Sequence, residues 1–336
     1  MAAAIPRRIS QRSEPAAGEV RADRLESRPF FLVGAERSGT TLLRLLLDRS
    51  GDLGWRGEFE FAVEALAESG QWPDRGAFIE RLRRDRVLNH WGLRIAEDRE
   101  PADLVHDFLV QWRDEGGKPL LGATIHRHLD LIPQIWPKAR YVHILRDPRD
   151  VAGSMVAIGW DGNVWRAIDR WIEVEQSWSR LRATLDPQDW IEVRHESLVR
   201  ATRFELERLC SFLGVSFEES MLSPGEDSTY EAPNPRLVEQ WRRRMTPREV
   251  RLVESKAGAL MQERGYALSG LPTLSPGRLE QRWLRLDDRI RFWSHRLRKF
   301  GPRLFIESAL SRRLGGEAWR ESVRRREHAV IESLLR

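Results

Sequence analysis

The chain has 336 residues, of which 41% are hydrophobic, and a formal net charge of +5. This length can hold one large α/β domain or two smaller domains. A single cysteine excludes an intramolecular disulfide and a cysteine metal cluster, and we expect no bound metal. The modest positive charge suits anionic ligands, but it is too weak to indicate nucleic acid as a partner.

The first segment, residues 1–27, is rich in Ala, Arg, Ser and Glu and lacks the apolar centre of a signal peptide. We interpret it as a disordered leader. No apolar run in the chain approaches the roughly 20 residues that a membrane-spanning helix needs. Together these features predict a cytoplasmic location and no transmembrane segment.

Residues 30–48 are the most informative stretch. An apolar, strand-like run leads into a loop bounded by Gly34 and Gly39, and a leucine-rich helix follows. In such a unit the loop N–H groups and the free N–H groups of the first helical turn point at one spot, where they can hold a phosphate. The groups predicted to bind the anion are Arg37, Ser38, Gly39, Thr40 and Thr41.

This loop differs from the loop of a nucleoside-triphosphate-binding protein. The spacing from Gly34 to Gly39 is right, but Thr40 stands where that motif requires a lysine. The positive charge lies inside the loop instead, at Arg37. The pattern therefore weakens a kinase or NTPase interpretation and favours a different phosphate-bearing donor. The alternative is an ordinary strand–turn–helix unit without a ligand.

Two carboxylates follow the first helix. Residues 51–57 are predicted to form a turn region, and Glu58 and Glu60 come directly after it. A carboxylate is a suitable general base for removing a proton from an attacking hydroxyl or amine. The alternative for each is a solvated surface acid, but the position after the first βα unit favours Glu58 as a catalytic residue.

Further strands are predicted at residues 120–124, 140–145 and 190–193. The first of them leads into His126 and His128. Side chains at the carboxyl end of a strand in a doubly wound sheet are well placed for function. These histidines are therefore candidates to orient an acceptor or assist proton transfer, and structural hydrogen bonding in a turn is the alternative.

The strand at residues 140–145 is followed by a second polar turn. Pro148 disfavours helical geometry just before it, and Asp150 is the predicted N-cap of the next helix. Arg146 at the strand end and Ser154 in the first turns of that helix can converge on one anion. The alternative for Arg146 is a salt bridge with a neighbouring aspartate.

The last segment, residues 269–336, is rich in arginine and carries apolar residues at helical intervals. It predicts two or three amphipathic helices after a motif-bearing domain at residues 28–268. Such helices can pack on the main domain, pair with a second subunit or lie on an anionic membrane surface. Because no lipidation signal accompanies them, we favour packing or a homodimer through these helices.

These motifs resemble those of the 3′-phosphoadenosine-5′-phosphosulfate (PAPS)-dependent sulfotransferases. Residues 34–43 are similar to the family's 5′-phosphosulfate loop, in the arginine-bearing version shared by tyrosylprotein sulfotransferases and many bacterial members. Residues 140–154 are similar to its 3′-phosphate motif. The resemblance implies an α/β three-layer sandwich with a central parallel sheet, the P-loop NTPase-like sulfotransferase fold, here with a helical C-terminal extension.

The resemblance also implies a reaction and residue roles. The sulfuryl group of PAPS would pass to a hydroxyl or amine of an acceptor, releasing 3′-phosphoadenosine-5′-phosphate (PAP). Arg37 and its loop would hold the phosphosulfate, while Arg146 and Ser154 would hold the 3′-phosphate. Counted without gaps from Arg37, Glu58 matches the catalytic glutamate of the tyrosylprotein branch, and a different gap would bring in Glu60.

The chain departs from the family pattern at several places. A Lys-Thr-Pro segment common in relatives is replaced by one ending in His126, which removes a lysine that assists the leaving group, and His195 stands in place of a tyrosine. The acceptor stays open among small molecules, carbohydrates, lipids and peptides. The rival interpretations are a P-loop nucleotide-dependent kinase or NTPase-like protein and a non-catalytic scaffold that uses the basic tail.

Overall fold

The computed structural model describes residues 17–67, 70–225 and 232–335. Over these ranges the chain alternates strands with helices and ends in a purely helical region. The elements are α1 (Ala17–Glu26), β1 (Phe30–Val33), α2 (Thr40–Leu47), β2 (Leu53–Glu58), α3 (Phe61–Ala67), α4 (Arg75–Arg83), α5 (Arg86–Trp91), α6 (Pro101–Gly116), β3 (Leu120–Ile125), α7 (Ile132–Ile135), β4 (Arg140–Leu145), α8 (Pro148–Ala157), α9 (Val164–Arg182), β5 (Trp190–Arg194), α10 (His195–Arg200), α11 (Thr202–Leu213), α12 (Trp241–Arg244), α13 (Pro247–Glu263), α14 (Arg278–Leu314) and α15 (Glu317–Leu335).

The strands form one parallel sheet in the order β2-β3-β1-β4-β5. Val33 at the end of β1 is level with Ile125 of β3 and His143 of β4. The carboxyl ends of the central strands therefore lie along one edge of the sheet. In open α/β sheets, ligands bind outside this edge.

The sheet is buried between two layers of helices. In β1, Phe31 and Val33 face one hydrophobic core while Phe30 and Leu32 face the other, as the period of two in a strand requires. Side chains of α6, α9 and α13 complete the first core, and those of α2 and α11 complete the second. The predicted three-layer α/β sandwich and its predicted strands are confirmed.

The prediction of a turn region at residues 51–57 is wrong. The chain forms β2 there, and β2 pairs with β3 at the edge of the sheet. Trp55 is buried against Gly122, where a Cβ would lie only 2.9 Å from the indole ring. The strand is thus fixed by pairing and by a long-range packing contact, which its glycine-rich local sequence does not signal.

The prediction of a disordered leader is corrected for part of its length. Residues 1–16 lie outside the described ranges, but Ala17–Glu26 forms α1. The buried side chain of Arg24 donates hydrogen bonds to the Asp103 carboxylate (2.7 Å) and to the Ile135 carbonyl (2.6 Å). These contacts hold α1 on the main domain.

The predicted N-cap of α8 is also corrected. Asp147 caps the helix by accepting the Arg149 N–H at 2.9 Å, since Pro148 occupies the first helical position and needs no partner for its nitrogen. Asp150 lies inside the helix, where its carboxylate accepts the Trp241 N–H at 2.7 Å. The carboxylate that caps α8 is therefore the one directly before the proline.

The C-terminal region is helical, as predicted. α14 is broken at Gly301, where φ is 71° and ψ is 163°, so we distinguish a first arm (residues 278–300) and a second arm (residues 302–314). The rings of Trp293 and Phe305 lie 5.6 Å apart, whereas residues at this separation in a straight helix would lie about 18 Å apart. The arms therefore fold back on each other, and the Arg296–Glu327 ion pair (2.6 Å) joins α15 to them.

The first arm of α14 is fixed to the main domain. Leu284 is buried, and the Asp288 carboxylate accepts the Gly162 N–H at 2.8 Å. Over the described ranges, no helix combines the length and the apolar character needed to cross a membrane.

Candidate active site

The loop between β1 and α2 lies at the carboxyl edge of the sheet and is pressed against the neighbouring strands. A Cβ at Gly34 would lie 2.3 Å from the Ile144 carbonyl oxygen, and a Cβ at Gly39 would lie 2.5 Å from the His195 ring. Gly39 also has φ of 98°, a left-handed conformation that favours glycine. The two glycines let the backbone turn sharply and bring the amino end of α2 to the ends of β4 and β5.

The loop and the start of α2 present hydrogen-bond donors at the edge of the sheet. The first N–H groups of an α-helix have no partner within the helix, and here they belong to the turn that begins at Thr40 and Thr41. The Ser38 hydroxyl is buried, and within the described ranges it has no hydrogen-bond partner. A buried hydroxyl without a partner costs free energy, which a bound anion oxygen would offset.

The second polar turn meets this loop directly. Arg146, which follows β4, donates from Nη1 to the Arg37 carbonyl at 2.9 Å and from Nη2 to the Leu237 carbonyl at 3.1 Å. The Asp150 carboxylate lies 3.7 Å from Nη2. Arg146 therefore forms a salt bridge with a neighbouring aspartate in addition to these two hydrogen bonds. The Nε of Arg146 is buried and, in the described part of the chain, has no hydrogen-bond partner.

A hydrogen bond between side chains also joins the two turns. Arg37 Nε donates to Ser154 Oγ on α8 at 3.1 Å, and Arg37 itself has a positive φ of 70°. Left-handed backbone is uncommon for a residue with a side chain and is found at functional sites. Arg37, Arg146 and Ser154 thus lie together at the edge of the sheet.

A cavity of about 510 Å³ adjoins the loop on its other side, at the ends of β2 and β3. Glu36 of the loop between β1 and α2 forms part of its wall, so the cavity and this loop are neighbours. The first arm of α14 forms the opposite wall. The cavity is lined by acidic, basic and apolar side chains, including Glu58, Glu60, Phe61, Glu64, Asp85, His126, Arg127, Ile158, Trp160, Arg170, Phe292, His295, Arg296, Lys299 and Phe300.

Glu58 and Glu60 both line this cavity but differ in environment. Glu58 ends β2 and is exposed. Glu60 is more enclosed and accepts the His126 backbone N–H at 3.0 Å. The pKa of Glu60 is raised to about 7, chiefly by burial and in part by the neighbouring Glu58, against the lowering effect of His126. Glu60 therefore has the proton affinity expected of a general base near neutral pH.

Glu36 has a structural role at the boundary between loop and cavity. Its carboxylate lies 3.1 Å from Arg127 and 3.8 Å from Arg170. Burial acts to raise its pKa, but the electrostatic effects of His126 and Arg127 and the hydrogen bonds to the carboxylate outweigh burial, and the pKa is lowered. Glu36 is therefore an ionised partner of the arginines.

The two candidate histidines have different positions. His126 is buried and donates from Nδ1 to the Gly34 carbonyl at 2.8 Å, which joins the end of β3 to the anion-binding loop. His128 is exposed, has a positive φ of 53° and does not line the cavity. The structure thus places His126 at the site, where it also makes the kind of structural hydrogen bond that the sequence left open. His128 lies outside the site.

His195 is a site residue to which the sequence assigned no role. It is buried against Gly39, and in the described part of the chain its Nδ1 has no hydrogen-bond partner. Burial, and next the charge of Arg146, lower its pKa to about 3. The histidine is therefore neutral. The sequence signal for His195 is its position directly after β5. That strand is predicted, and its carboxyl end lies at the same edge of the sheet as the ends of β1 and β4.

The wall formed by α14 was also missed. Phe292, His295, Lys299 and Phe300 follow one side of its first arm. Their spacing in the sequence predicts a helix, but nothing local to the segment indicates which part of the main domain the helix packs against. Among the described residues, no group of three or more His, Cys, Asp or Glu side chains could hold a metal ion.

A parallel sheet with a glycine-bounded loop after its central strand, and a cavity beside that loop, define an α/β protein with a P-loop-type fold. A sequence profile described as "Sulfotransferase family" matches residues 29–219, more than half of the chain. The chain therefore belongs to the sulfotransferase family.

Curated relatives are distant. Protein-tyrosine sulfotransferase 1 of Danio rerio is 24% identical over 240 residues, which cover 64% of each chain. Protein-tyrosine sulfotransferase A of Caenorhabditis elegans is 22% identical over 204 residues, which cover 58% of this chain and 52% of that protein. The chain thus spans between about half and two thirds of the length of these relatives.

Solved structures share the fold. The sulfotransferase domain from the curacin biosynthetic pathway superimposes with a TM-score of 0.54 at 18% identity, covering 73% of this chain and 99% of that domain. The sulfotransferase domain of the Synechococcus PCC 7002 olefin synthase has a TM-score of 0.52 at 22% identity, covering 70% and 96%. Both similarities support the sulfotransferase fold.

Proposed function

We propose that the protein transfers the sulfuryl group of PAPS to a hydroxyl or amine of an acceptor and releases PAP. The observation that carries the proposal is the contact between two strand-end turns, in which Arg37 bonds to Ser154 and Arg146 bonds to the Arg37 backbone. Bound PAPS supplies a sulfuryl group attached to a phosphate leaving group. Everything else in the reaction is positioning and charge stabilisation by the protein.

The residues present fit the two anionic ends of such a donor. The unpartnered Ser38 hydroxyl, the loop at Gly39 and the start of α2 at Thr40 and Thr41 suit the 5′-phosphosulfate. The guanidinium of Arg37 adds charge there. Arg146 and Ser154 suit the 3′-phosphate, because arginine provides a fork of donors matched to phosphate oxygens.

We assign proton removal from the acceptor to the carboxylate pair in the cavity. Glu58 is the member that the family resemblance indicates, and it is open to the cavity. Glu60 is the competing assignment, favoured by a pKa raised to about 7. His126 holds Glu60 through its backbone N–H and orients the pair against the anion-binding loop.

The acceptor proposed first is a tyrosine phenol in a peptide. Two relatives are named protein-tyrosine sulfotransferases, and aromatic side chains of the cavity, Phe61, Trp160 and Phe292, suit a phenol ring. A hydroxyl of a small molecule, carbohydrate or lipid is the alternative acceptor class. We also propose a cytoplasmic location, which fractionation of cells tests. We further propose a separate domain at residues 28–268, which expression of the truncated chain tests.

The test is to incubate the full chain with PAPS and a panel of hydroxyl acceptors and to follow PAP release by chromatography. The expected result is acceptor-dependent PAP release without added metal. Magnesium-dependent ATP turnover in place of PAPS turnover would support the kinase or NTPase interpretation, which the threonine at the lysine position disfavours. Donor binding without turnover on any acceptor would favour the scaffold interpretation.

A further inference from the structure

The first arm of α14 lies beyond the residues that match the family, yet it forms one wall of the cavity. It also contacts a second segment of the cavity, the loop between α8 and α9 (residues 158–163), which we call the α8–α9 loop. This loop contributes Ile158, Gly159 and Trp160 to the lining. The contact between α14 and the α8–α9 loop therefore affects the shape of the cavity.

The side chain of Asp288 on α14 holds the α8–α9 loop by its backbone. Its carboxylate accepts the Gly162 N–H at 2.8 Å and the Asn163 N–H at 3.3 Å. Asn163 donates in return from Nδ2 to the Leu284 carbonyl of α14 at 2.8 Å, while its Oδ1 accepts the Arg166 N–H and caps α9. One turn of α14 thus fixes both the end of the loop and the start of α9.

Two glycines bring the α8–α9 loop into direct contact with α14. A Cβ at Gly162 would lie 2.1 Å from the Asp288 carbonyl oxygen, and a Cβ at Gly159 would lie 2.0 Å from the His295 ring. Protein interiors pack too closely to absorb an overlap of this size without a shift of the backbone. The loop and the first arm of α14 are therefore packed as one unit.

Trp160 follows the first of these glycines, lines the cavity and is 41% exposed. An indole left in water costs free energy, which an aromatic ring packed against it would offset. The Arg170 guanidinium lies 6.0 Å from the centre of the Trp160 ring. Arg170 is held in turn by Asp161 of the loop at 3.4 Å and by Glu36 beside the donor loop at 3.8 Å. The α8–α9 loop is thus supported from two sides, by α14 and by the donor side of the site.

We propose that Asp288 is a positioning residue for the acceptor, because it fixes the α8–α9 loop so that Trp160 presents its indole ring to an aromatic ring of the acceptor. The inference rests on the proposed function, since it takes the cavity as the acceptor site. It gives the first arm of α14 a role in acceptor binding and none in donor binding. A binding group displaced by about 1 Å can cost on the order of a hundredfold in rate, so a loop that carries such a group needs a rigid support.

The first test measures the acceptor KM of Asp288→Ala and Trp160→Ala by PAP release, with 4-methylphenol, the side chain of tyrosine, as the acceptor. Each substitution should raise this KM about tenfold and leave the affinity for PAP, measured by calorimetry, unchanged. Asp288→Asn should keep a nearly wild-type KM, because its amide oxygen still accepts both N–H groups. The matched control is Asp74→Ala, since Asp74 accepts two backbone N–H groups of α4 and does not line the cavity. An unchanged KM in Asp288→Ala, or an equal loss of PAP affinity, overturns the proposal.

A double-mutant cycle tests whether Asp288 acts through Trp160. If the carboxylate serves to hold the indole in place, Asp288→Ala should raise the KM of Trp160→Ala by roughly twofold at most. Fully additive effects would mean that Asp288 acts by another route and would overturn the proposal. Gly162→Ala is an independent variant, because its methyl group displaces the loop without removing a hydrogen-bonding group. It should raise the KM when Trp160 is present and have little effect in Trp160→Ala.

A binding measurement separates failure of this inference from failure of the proposed function. Saturation-transfer NMR compares 4-methylphenol with 4-methylcyclohexanol, which has a similar outline without an aromatic ring, and it needs no turnover. The preference for 4-methylphenol should be lost in Trp160→Ala and Asp288→Ala and kept in Trp283→Ala, because Trp283 is 55% exposed on the same arm of α14 and does not line the cavity. Absence of PAP release with every acceptor would refute the proposed function. Equal binding of the two compounds to the wild type, or a preference that survives Trp160→Ala, would refute the role of Trp160 and Asp288.

Discussion

The donor side and the acceptor side of the site are built in different ways. The donor side consists of two turns, each within a few residues of a strand end, and contacts from Arg37 to Ser154 and from Arg146 to Arg37 join them. The acceptor cavity is assembled from the ends of β2 and β3, the end of α8 and the first arm of α14. Residues 29–219 match the family, and α14 lies beyond them. Under the proposed function, donor binding is a local property of βα units, while acceptor choice depends on segments that are distant in the sequence.

The largest expected effect is on the donor side. Arg37→Ala removes the positive charge that we assign to the phosphosulfate, so turnover with PAPS should fall by about two to three orders of magnitude. Arg203→Ala on the exposed surface of α11 is the matched control and should leave turnover unchanged. Steady-state PAP release measures both. Wild-type turnover in Arg37→Ala would remove this residue from the mechanism.

The carboxylate pair should give the next largest effect. Replacing the general base with its amide should lower kcat on the order of a hundredfold while the affinity for PAP is kept, because the base contacts only the acceptor. Glu58→Gln and Glu60→Gln are compared side by side, with binding measured by calorimetry and kcat by PAP release. A large loss in Glu60→Gln alone would move the role of base from Glu58 to Glu60.

The pH dependence sharpens this assignment. If Glu60 is the base, kcat/KM should rise about tenfold per pH unit as its carboxyl loses a proton below its pKa of about 7, and should level off above it. Glu60→Gln should abolish this rise. A wild-type profile that is flat between about pH 6 and pH 8, on the order of one pH unit either side of the pKa, would leave Glu58 as the base.

His195 predicts a pH-dependent change in stability. An unfolded histidine binds a proton below about pH 6.5, while folded His195 resists protonation until about pH 3, so the folded state loses stability as the pH falls between these values. The free energy of unfolding should fall by roughly 1 kcal/mol per pH unit from this group. Urea unfolding at several pH values should show a flatter profile for His195→Gln than for the exposed control His128→Gln. Equal slopes for the two variants would exclude this origin.

The smallest effect belongs to the wall formed by α14. Lys299→Ala should change the KM for the acceptor a few-fold and leave PAP affinity unchanged, because Lys299 lines the cavity and not the donor loop. Arg298→Ala is the control, because Arg298 is next to Lys299 in the sequence but its side chain is exposed and does not line the cavity. A change in PAP affinity for Lys299→Ala would show that the two sides of the site are not separable.

The parts of the molecule that the sequence predicts are those with short-range causes. The apolar runs of β1, β4 and β5 and the glycine-bounded loop carry their own signals, so the donor side could be assembled from two patterns. β2 could not be predicted, because it forms by pairing with β3 and by packing of Trp55 on Gly122. The contact of α14 with the cavity and the anchoring of α1 through Arg24 likewise depend on partners far along the chain.

The most direct measurement of the central claim is calorimetric titration of PAP into the wild-type protein and into the Ser154→Ala, Arg146→Lys and Arg37→Ala variants, with ATP as the comparison ligand. If the two turns hold one nucleotide, PAP binds the wild type more tightly than ATP. Each substitution should then weaken PAP binding, by about fivefold for the single neutral hydrogen bond of Ser154 and more for either arginine. PAP affinity that is absent in the wild type, or unchanged in all three variants, would contradict the account.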